Sequence, residues 1–233
     1  MTRLSRLVVA GFAHHVVARV VTGGRAFYDD ADRLSFMQAL QRSGVEQHVA
    51  IHAFVLLDGE VQLLMTPLED EGIGRMMQAL ARFYVPSFNR RHGRAGALWQ
   101  GRFRAAPVGG ADALLSCMLY VEQAPLRVGW DRSPSAYGWS SAAAHSGVSA
   151  SQFLAQVPSG SGYWQLGNTP FERDAAYLLL LDHPMSSQQV EEIERSTPKG
   201  WAIGSGEFLA RLQTATERRI SGKPRGRPRR SAS

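Results

Sequence analysis

Residues 49–66 read VAIHAFVLLDGEVQLLMT, and this stretch predicts a β-hairpin. Residues 49–57 are apolar and typical of a buried strand. Asp58-Gly59 strongly favours a tight turn, because such turns require the positive φ angles that glycine adopts readily. The residues after the turn alternate between the two faces of a second strand. These faces carry Glu60, Gln62 and Leu64 on one side and Val61, Leu63 and Met65 on the other.

The segments on either side of this hairpin extend the pattern to a whole domain. Apolar, β-branched residues predict a strand over 7–21, and a further extended segment follows over 97–108. Apolar residues at helical spacing (Leu34, Met37 and Leu40) predict a helix over 30–43, and others predict helices over 73–91 and 111–121. The order strand, helix, strand, strand, helix, strand and added helix predicts an α+β ferredoxin-like sandwich, an antiparallel sheet with helices on one face.

The C-terminal part has a different composition. Residues 1–145 form the predicted main domain, and 146–162 are rich in Ser, Ala and Gly, which indicates a linker. Residues 163–216 then carry two capping boxes, Thr169–Glu172 and Ser186–Gln189, which predict a small helical module. Residues 217–233 are a basic tail that contains KPRGRPRR and is predicted to be disordered in isolation.

Charge is distributed unevenly along the 233 residues, whose formal net charge is +6. Residues 211–233 contain eight basic residues and one acidic residue, so the positive excess lies in this tail. A second region, 72–111, has seven arginines and no acidic residue. Two such regions favour binding to a polyanion, although a single basic run is often only a solvated face.

Two compositional limits narrow the class of protein. The single cysteine, Cys117, cannot form an internal disulfide or a cysteine-based zinc site, which favours a reducing, cytoplasmic location. No apolar run is long enough to predict a transmembrane helix, so no membrane partner is expected.

The stretch 88–103, FNRRHGRAGALWQGRF, resembles the REP-associated tyrosine transposases, which belong to the HUH single-strand DNA transposases. Further segments resemble the family in the same order along nearly the whole chain: 14–19, 52–56, 120–129 (YVEQAPLRVG), 139–141, 166–167, 173, 177 and 200–208. The resemblance implies single-stranded or hairpin DNA, folded from palindromic repeats, as the partner. It also implies cleavage and strand transfer through a 5′-phosphotyrosine, assisted by Mg²⁺ or Mn²⁺ held by two histidines and an asparagine.

This sequence keeps the family's nucleophile position as Tyr120 but not its metal ligands. The two histidine positions hold Glu60 and Gln62, and the helical asparagine position holds Ala124. One interpretation is an altered metal site, in which Glu60 and Gln62 supply hard oxygen ligands and Gln123 replaces the asparagine. The other is that these are ordinary polar side chains and that catalysis is weakened or lost.

DNA binding does not depend on those ligands. Arginines can pair with phosphates and aromatic rings can stack on unpaired bases, whereas Trp99 and Phe103 can equally be core anchors. The residues that we expect to contact DNA in this region are Arg90, Arg91, Arg94, Trp99, Gln100, Arg102, Phe103 and Arg104. In the tail, Arg225-Gly226-Arg227 resembles an AT-hook core, which would add contacts in the DNA minor groove. Such contacts would favour association with the nucleoid.

The functional interpretations therefore stay open between two main classes. One is a transposase-like DNA-cleaving enzyme, and the other is a non-catalytic hairpin-DNA-binding or regulatory protein. An RNA-hairpin binder is a third, since arginines and stacking aromatics serve both nucleic acids. His15 and His52 are interpreted as hydrogen-bonded histidines of the sheet rather than as ligands. The sequence does not indicate an oligomeric state.

Overall fold

In the computed structural model, residues 6–130, 132–150 and 153–222 are described. The strands are β1 (Ala13–Arg19), β2 (Val49–Leu56), β3 (Glu60–Pro67), β4 (Arg104–Gly109) and β5 (Ile203–Gly204). The helices are α1 (Asp30–Glu46), α2 (Gly72–Arg91), α3 (Ala111–Glu122), α4 (Ala124–Arg127), α5 (Ala142–His145), α6 (Pro170–Asp182), α7 (Ser187–Ser196) and α8 (Gly206–Thr214). Within these residues, no helix has the length and apolar character needed to cross a membrane.

The strands form one sheet in the order β2-β3-β1-β4-β5. Its first four strands pair antiparallel, and with α1 and α2 they give the βαββαβ arrangement of the ferredoxin-like fold. The α+β prediction is therefore confirmed. The C-terminal strand β5 was not predicted, and it makes the sheet mixed because it pairs parallel with β4.

The predicted hairpin is the β2–β3 pair, and its alternation is also present. Val61, Leu63 and Met65 enter the core between the sheet and the helices α1 and α2. Leu64 belongs to a second core on the opposite face. This alternation turns the side chains of Glu60 and Gln62 toward that opposite face as well.

Helices cover both faces of the sheet, which differs from the prediction of one covered face. The first core contains Phe36 and Leu40 from α1 and Met76 and Leu80 from α2. The second core is built by α3, α6 and α7. The difference arises because α3 packs on the second face of the sheet, and α6 and α7 pack on α3.

Helix α1 begins where the sequence predicted, with Asp29 as the N-cap, and Met37 and Leu40 of its predicted apolar stripe lie at the core, whereas Leu34 does not. The Asp29 side chain accepts from the backbone N–H of Asp32 at 3.0 Å. Leu34 is 55% exposed, whereas Phe36 and Leu40 are fully buried. Phe36 sets the helix rotation, because its ring packs against the first core.

The predicted strand over 97–108 is shorter in the structure. Only 104–109 form β4, and the residues before it make a loop around the end of β1. In that loop, Trp99 bridges to Val20, and the Gln100 N–H donates to the Arg19 carbonyl at 2.8 Å. The glycine-rich sequence on both sides of Trp99 permits this turn-rich path.

Both predicted capping boxes are formed, at the starts of α6 and α7. The helices that they begin do not form a core of their own. Tyr177, Leu181 and Ile193 lie in the same core as Leu64 and Met118 of the sheet domain. The domain boundaries at 145 and 163 stay a prediction, but the two parts share one hydrophobic core.

The C-terminal strand depends on glycine at position 204. Gly204 has φ +152°, and a Cβ there would overlap the Gly109 carbonyl oxygen and the Phe208 ring. We expect Gly204→Ala to lower the free energy of unfolding by about 2–3 kcal/mol, measured by urea denaturation. Gly206→Ala is the matched control, since a Cβ at Gly206 meets nothing within 4 Å. Equal stability of the two variants would contradict this account.

Candidate functional site

A cleft of about 610 Å³ lies on the face of the sheet that carries α3 and α7. Its floor comes from β1 and β3, and its walls come from the loop before β4, from α3 and from the end of α7. The residues that line it are His15, Val17, Arg19, Glu60, Gln62, Gln100, Arg102, Arg104, Tyr120, Ile193, Glu194, Thr197 and Pro198. The cleft thus brings together Tyr120, at the predicted nucleophile position, with Glu60 and Gln62, which stand at the two predicted histidine positions.

Strand register places the polar floor of the cleft. β1 and β3 pair antiparallel, with Arg19 opposite Glu60 and Val17 opposite Gln62. Directly opposite residues point to the same face of a sheet. The predicted common orientation of Glu60 and Gln62 therefore follows from the backbone pairing.

A hydrogen-bond chain crosses this floor. The Arg19 Nε donates to Glu60 Oε2 at 3.0 Å, and Gln62 Nε2 donates to Glu60 Oε1 at 2.5 Å. The chain continues from Gln62 Oε1 to His15 Nε2 at 3.3 Å, and His15 Nδ1 lies 2.8 Å from Thr197 Oγ1. Each oxygen of the Glu60 carboxylate therefore already has a donor from the protein.

His15 is buried, and burial lowers its pKa from 6.5 to about 4. The ring is therefore neutral at physiological pH and acts as a hydrogen-bonding bridge between β3 and the turn at Thr197. This agrees with the interpretation of His15 as a sheet histidine, although the structure also puts it in the wall of the cleft.

Tyr120 lies on α3 and reaches the cleft with its ring against His15, at 5.5 Å between centroids. Its hydroxyl is 3.5 Å from Glu194 Oε1 of α7. Burial raises the pKa of Tyr120 to about 12; the positive charge of Arg127 acts in the opposite direction, and the negative charge of Glu194 adds to the increase. The hydroxyl is therefore protonated at neutral pH, and as a phenol it is a weak nucleophile.

Three residues around Tyr120 were not foreseen from the sequence. The guanidinium of Arg127 stacks over the Tyr120 ring at 3.8 Å and donates to the Tyr120 carbonyl. Its spacing of seven residues, two helical turns, was the available signal. Glu194 and Thr197 had no such signal, because they reach the site from more than 70 residues along the chain.

Gln123 was predicted as a metal ligand. The structure corrects this prediction, because the Gln123 side chain is buried and bonded elsewhere. It is only 3% exposed, and its Nε2 donates to the carbonyls of Leu180, Leu181 and His183 at 3.1, 2.9 and 2.7 Å. These carbonyls belong to the C-terminal end of α6, where helical carbonyls lack intrahelical partners. Gln123 therefore serves the docking of α6 and does not line the cleft.

The divalent metal that the resemblance implies does not fit the remaining donors. Glu60 is neutralised by Arg19, Gln62 is bonded at both ends of its amide, and Ala124 has no ligating atom. Across the part of the chain that the structure describes, no cluster of three or more His, Cys, Asp or Glu residues could hold a metal. A Mg²⁺ ion, which prefers several oxygen ligands, would have to compete with Arg19 and Gln62 for Glu60.

The residues predicted to bind DNA lie in different parts of the molecule. Gln100, Arg102 and Arg104 line the cleft. Arg90 lies in the last turn of α2 and Arg94 lies just after the helix, and neither lines the cleft. Trp99 and Phe103 are half-buried against the core of the α1–α2 face, where Arg6 stacks over Phe103 at 3.8 Å, which supports their anchoring role. Arg225 and Arg227 lie outside the described residues.

Arg91 requires a correction, because it is held in an ion-pair cluster. Its guanidinium contacts Asp29 at 2.6 Å and Asp32 at 2.5 Å, and these contacts lower the pKa of Asp29 to about 2. Since both partners are acidic residues at the start of α1, Arg91 joins α2 to α1. Its charge is balanced there instead of being offered to a phosphate.

His52 is a structural histidine, as predicted. Its Nδ1 lies 2.8 Å from the Gln156 carbonyl oxygen and its Nε2 lies 2.9 Å from Thr66 Oγ1. Burial lowers its pKa to about 4. Both ring nitrogens are therefore used to fasten the 153–157 segment to the sheet.

Comparisons with known proteins bear on the fold. Neither protein-family models nor curated proteins match the sequence. Among solved structures, a REP-associated tyrosine transposase bound to a REP hairpin matches with a TM-score of 0.54 and 14% identity, over 68% of this chain and 100% of that chain. A putative transposase from Deinococcus radiodurans R1 matches with a TM-score of 0.36 and 18% identity, over 46% of this chain and 87% of that chain. The chain therefore has the fold of the REP-associated tyrosine transposase, as its sequence resemblance predicted.

Proposed function

We propose that this protein is a transposase-derived DNA-binding protein whose cleft receives single-stranded or hairpin DNA. In this proposal, metal-dependent cleavage through Tyr120 is weakened or lost. The observation that carries it is the internal hydrogen bonding of Glu60: both carboxylate oxygens accept from Arg19 and Gln62 of the chain itself. The cleft thus keeps its cationic wall while its ligand positions are committed to protein contacts.

The cationic wall supports the choice of nucleic acid as the partner. Arg102 and Arg104 line the cleft on exposed positions, next to the amide of Gln100. A guanidinium group can donate two hydrogen bonds to one phosphate, whereas amides can pair with base edges. A strand in this cleft would pass close to Tyr120, which is where the fold of the matched transposase leads us to expect DNA.

The surroundings of Tyr120 favour binding over chemistry. A tyrosine nucleophile must lose its proton, and the pKa of about 12 opposes this near neutral pH. The negative charge of Glu194, whose Oε1 lies 3.5 Å from the hydroxyl, also opposes deprotonation, whereas the positive charge of Arg127 favours it but does not outweigh burial. The non-catalytic, regulatory alternative is thus favoured by a specific arrangement of groups, whereas the fold likeness favours a transposase ancestry.

The DNA-binding proposal predicts a salt-dependent affinity that depends on the cleft arginines. We expect Arg102→Gln and Arg104→Gln each to lower the salt slope, d log K/d log[salt], for a single-stranded oligonucleotide by about 0.7 in magnitude. Fluorescence anisotropy between 50 and 200 mM NaCl measures this slope. Arg82→Gln, on the exposed side of α2, is the matched control and should leave the slope unchanged.

An RNA hairpin and a DNA hairpin of equivalent sequence should be compared in the same assay. Equal or tighter binding of the RNA would favour the RNA-binding interpretation instead. Loss of affinity that is the same for Arg82→Gln as for the cleft variants would remove the cleft from the proposal.

Cleavage is tested separately with Mn²⁺ or Mg²⁺ and hairpins from palindromes that flank the gene. We expect retarded DNA on a native gel, no covalent protein–DNA band on a denaturing gel, and wild-type affinity for Tyr120→Phe. A covalent band in the wild type that disappears in Tyr120→Phe would favour the interpretation as a DNA-cleaving enzyme. Metal binding by Glu60 would then have to compete with its ion pair to Arg19.

A further inference from the structure

A second, smaller cavity of about 210 Å³ adjoins the cleft. It lies between β4, the turn at Thr197–Lys199 and the segment near residue 218. The residues that line it are Arg6, Arg102, Phe103, Arg104, Ala105, Thr197, Pro198, Lys199, Gly200 and Arg218. Five of these are cationic and, among these described residues, none is acidic.

The cavity and the cleft are continuous. Arg102, Arg104, Thr197 and Pro198 line both. A polymer with regularly spaced phosphates could therefore pass from one to the other along the side of β4. In the cleft the arginines share space with two glutamates, whereas the described residues that line the smaller cavity include no aspartate or glutamate.

The turn that closes this cavity is positioned by specific contacts. Thr197 is buried and bonded to His15 at 2.8 Å, which ties the turn to the floor of the cleft. Gly200 follows with φ +65°, and a Cβ there would lie 3.2 Å from an Arg218 nitrogen and 3.3 Å from the Ala105 carbonyl oxygen. Glycine thus lets the turn approach β4 and Arg218 closely. The next residue, Trp201, carries the Lys199 ammonium 4.4 Å above its ring.

Like charges that surround one cavity repel one another, and the repulsion grows where water is excluded. Burial lowers the pKa of Arg218, which shows that its charge is partly desolvated. An anion bound among these groups would offset the repulsion between their positive charges. The fork geometry of arginine and the point charge of lysine together suit a tetrahedral phosphate.

We propose that this cavity is a phosphate-binding site that holds one backbone phosphate of the strand, next to the segment in the cleft. Its DNA ligand rests on the proposed function, whereas its affinity for phosphate does not. Because the sheet domain supplies Arg102 and Arg104 and the C-terminal part supplies Lys199 and Arg218, the site is complete only when these parts are packed together.

The first test uses inorganic phosphate and thermal unfolding. At matched ionic strength, phosphate at about ten times its Kd should raise Tm by about 3 °C above the value in chloride. We expect Lys199→Gln and Arg104→Gln to lose this increment, and Arg82→Gln to retain it. Circular dichroism in chloride checks that the variants are folded. If phosphate does not raise the Tm of the wild type, or raises the Tm of both cavity variants by the same amount as that of the wild type, the proposed phosphate site is wrong.

The second test uses the single-stranded probe (dT)12 and separates this site from the proposed function. We expect Lys199→Gln to lower the salt slope of (dT)12 binding by about 0.7, like a cleft arginine. If (dT)12 binds and its slope is unchanged in Lys199→Gln, the strand does not use the cavity and the inference fails while the proposed function stands. If phosphate stabilises the protein through Lys199 but neither (dT)12 nor hairpin DNA binds, the site takes free phosphate, and both the proposed function and the strand assignment fail.

Discussion

Glu122→Ala is expected to destabilise the protein by about 3–5 kcal/mol, the range found when one partner of a buried polar or ionic cluster is removed. Glu122 lies on α3 and is fully buried. Its Oε1 accepts from the Ser141 hydroxyl and lies 2.6 Å from His145 Nδ1, and its Oε2 accepts from the Tyr177 hydroxyl at 2.7 Å. Alanine would remove the acceptor of three buried polar groups, of which, within the described residues, only the Ser141 hydroxyl has another acceptor, the Phe54 carbonyl at 3.3 Å.

The position of this cluster explains why the effect should be large. Glu122 sits two residues after Tyr120 and joins α3 to the Ser141–His145 segment and to α6. It therefore connects the helix that carries the tyrosine to the C-terminal part. Urea denaturation measures the loss, and the unfolding of α6 together with the sheet domain should remain one transition.

Two variants make this prediction specific. Glu122→Gln keeps the shape and one acceptor, so we expect a smaller loss of about 1–3 kcal/mol. Glu191→Ala removes an exposed glutamate of α7 and should change stability by less than about 0.5 kcal/mol. A Glu122→Ala protein as stable as Glu191→Ala would show that the cluster does not hold the two parts together.

Acid should unfold this protein at a comparatively high pH. Burial lowers the pKa values of His14, His15 and His52 from 6.5 to about 4. Between these values the unfolded chain binds more protons than the folded chain. Stability is therefore fully present above pH 6.5 and is lost as the pH falls toward 4.

The size of this effect follows from the shifts. One pKa unit corresponds to about 1.4 kcal/mol, so each histidine should cost about 2 kcal/mol between pH 6.5 and pH 5. The sum for three histidines is comparable to the whole stability of a typical domain, about 5–15 kcal/mol. We expect the midpoint of acid unfolding to lie between pH 6 and pH 4, followed by circular dichroism.

Removal of one histidine checks the assignment. His52→Gln can keep one of the two hydrogen bonds, to Thr66 or to Gln156, and should reduce the pH dependence by about one proton. Stability at pH 7 should fall while the slope between pH 6.5 and pH 5 becomes shallower. A protein whose free energy of unfolding is constant over that interval would contradict the buried, neutral histidines.

The sequence determined the features that depend on neighbouring residues. Alternation over 60–66 and the turn at Asp58-Gly59 predicted the β2–β3 hairpin and the common face of Glu60 and Gln62. The side chains of Thr169 and Ser186 marked two helix starts, since a cap bonds within its own first turn. The order of elements then predicted the ferredoxin-like arrangement, because short connections leave few alternatives.

Tertiary structure decided which polar groups are available for function. Gln123 caps the C-terminal end of the helix that carries Tyr120, yet its amide donates to carbonyls some 60 residues away at the end of α6. Arg91 belongs to an acid-free run, yet it pairs with Asp29 across 62 residues. Thr197 completes the cleft from 182 residues beyond His15. Periodicity and capping are short-range effects, whereas these pairings depend on how β5 and the C-terminal helices pack on the sheet, and no local pattern encodes that packing.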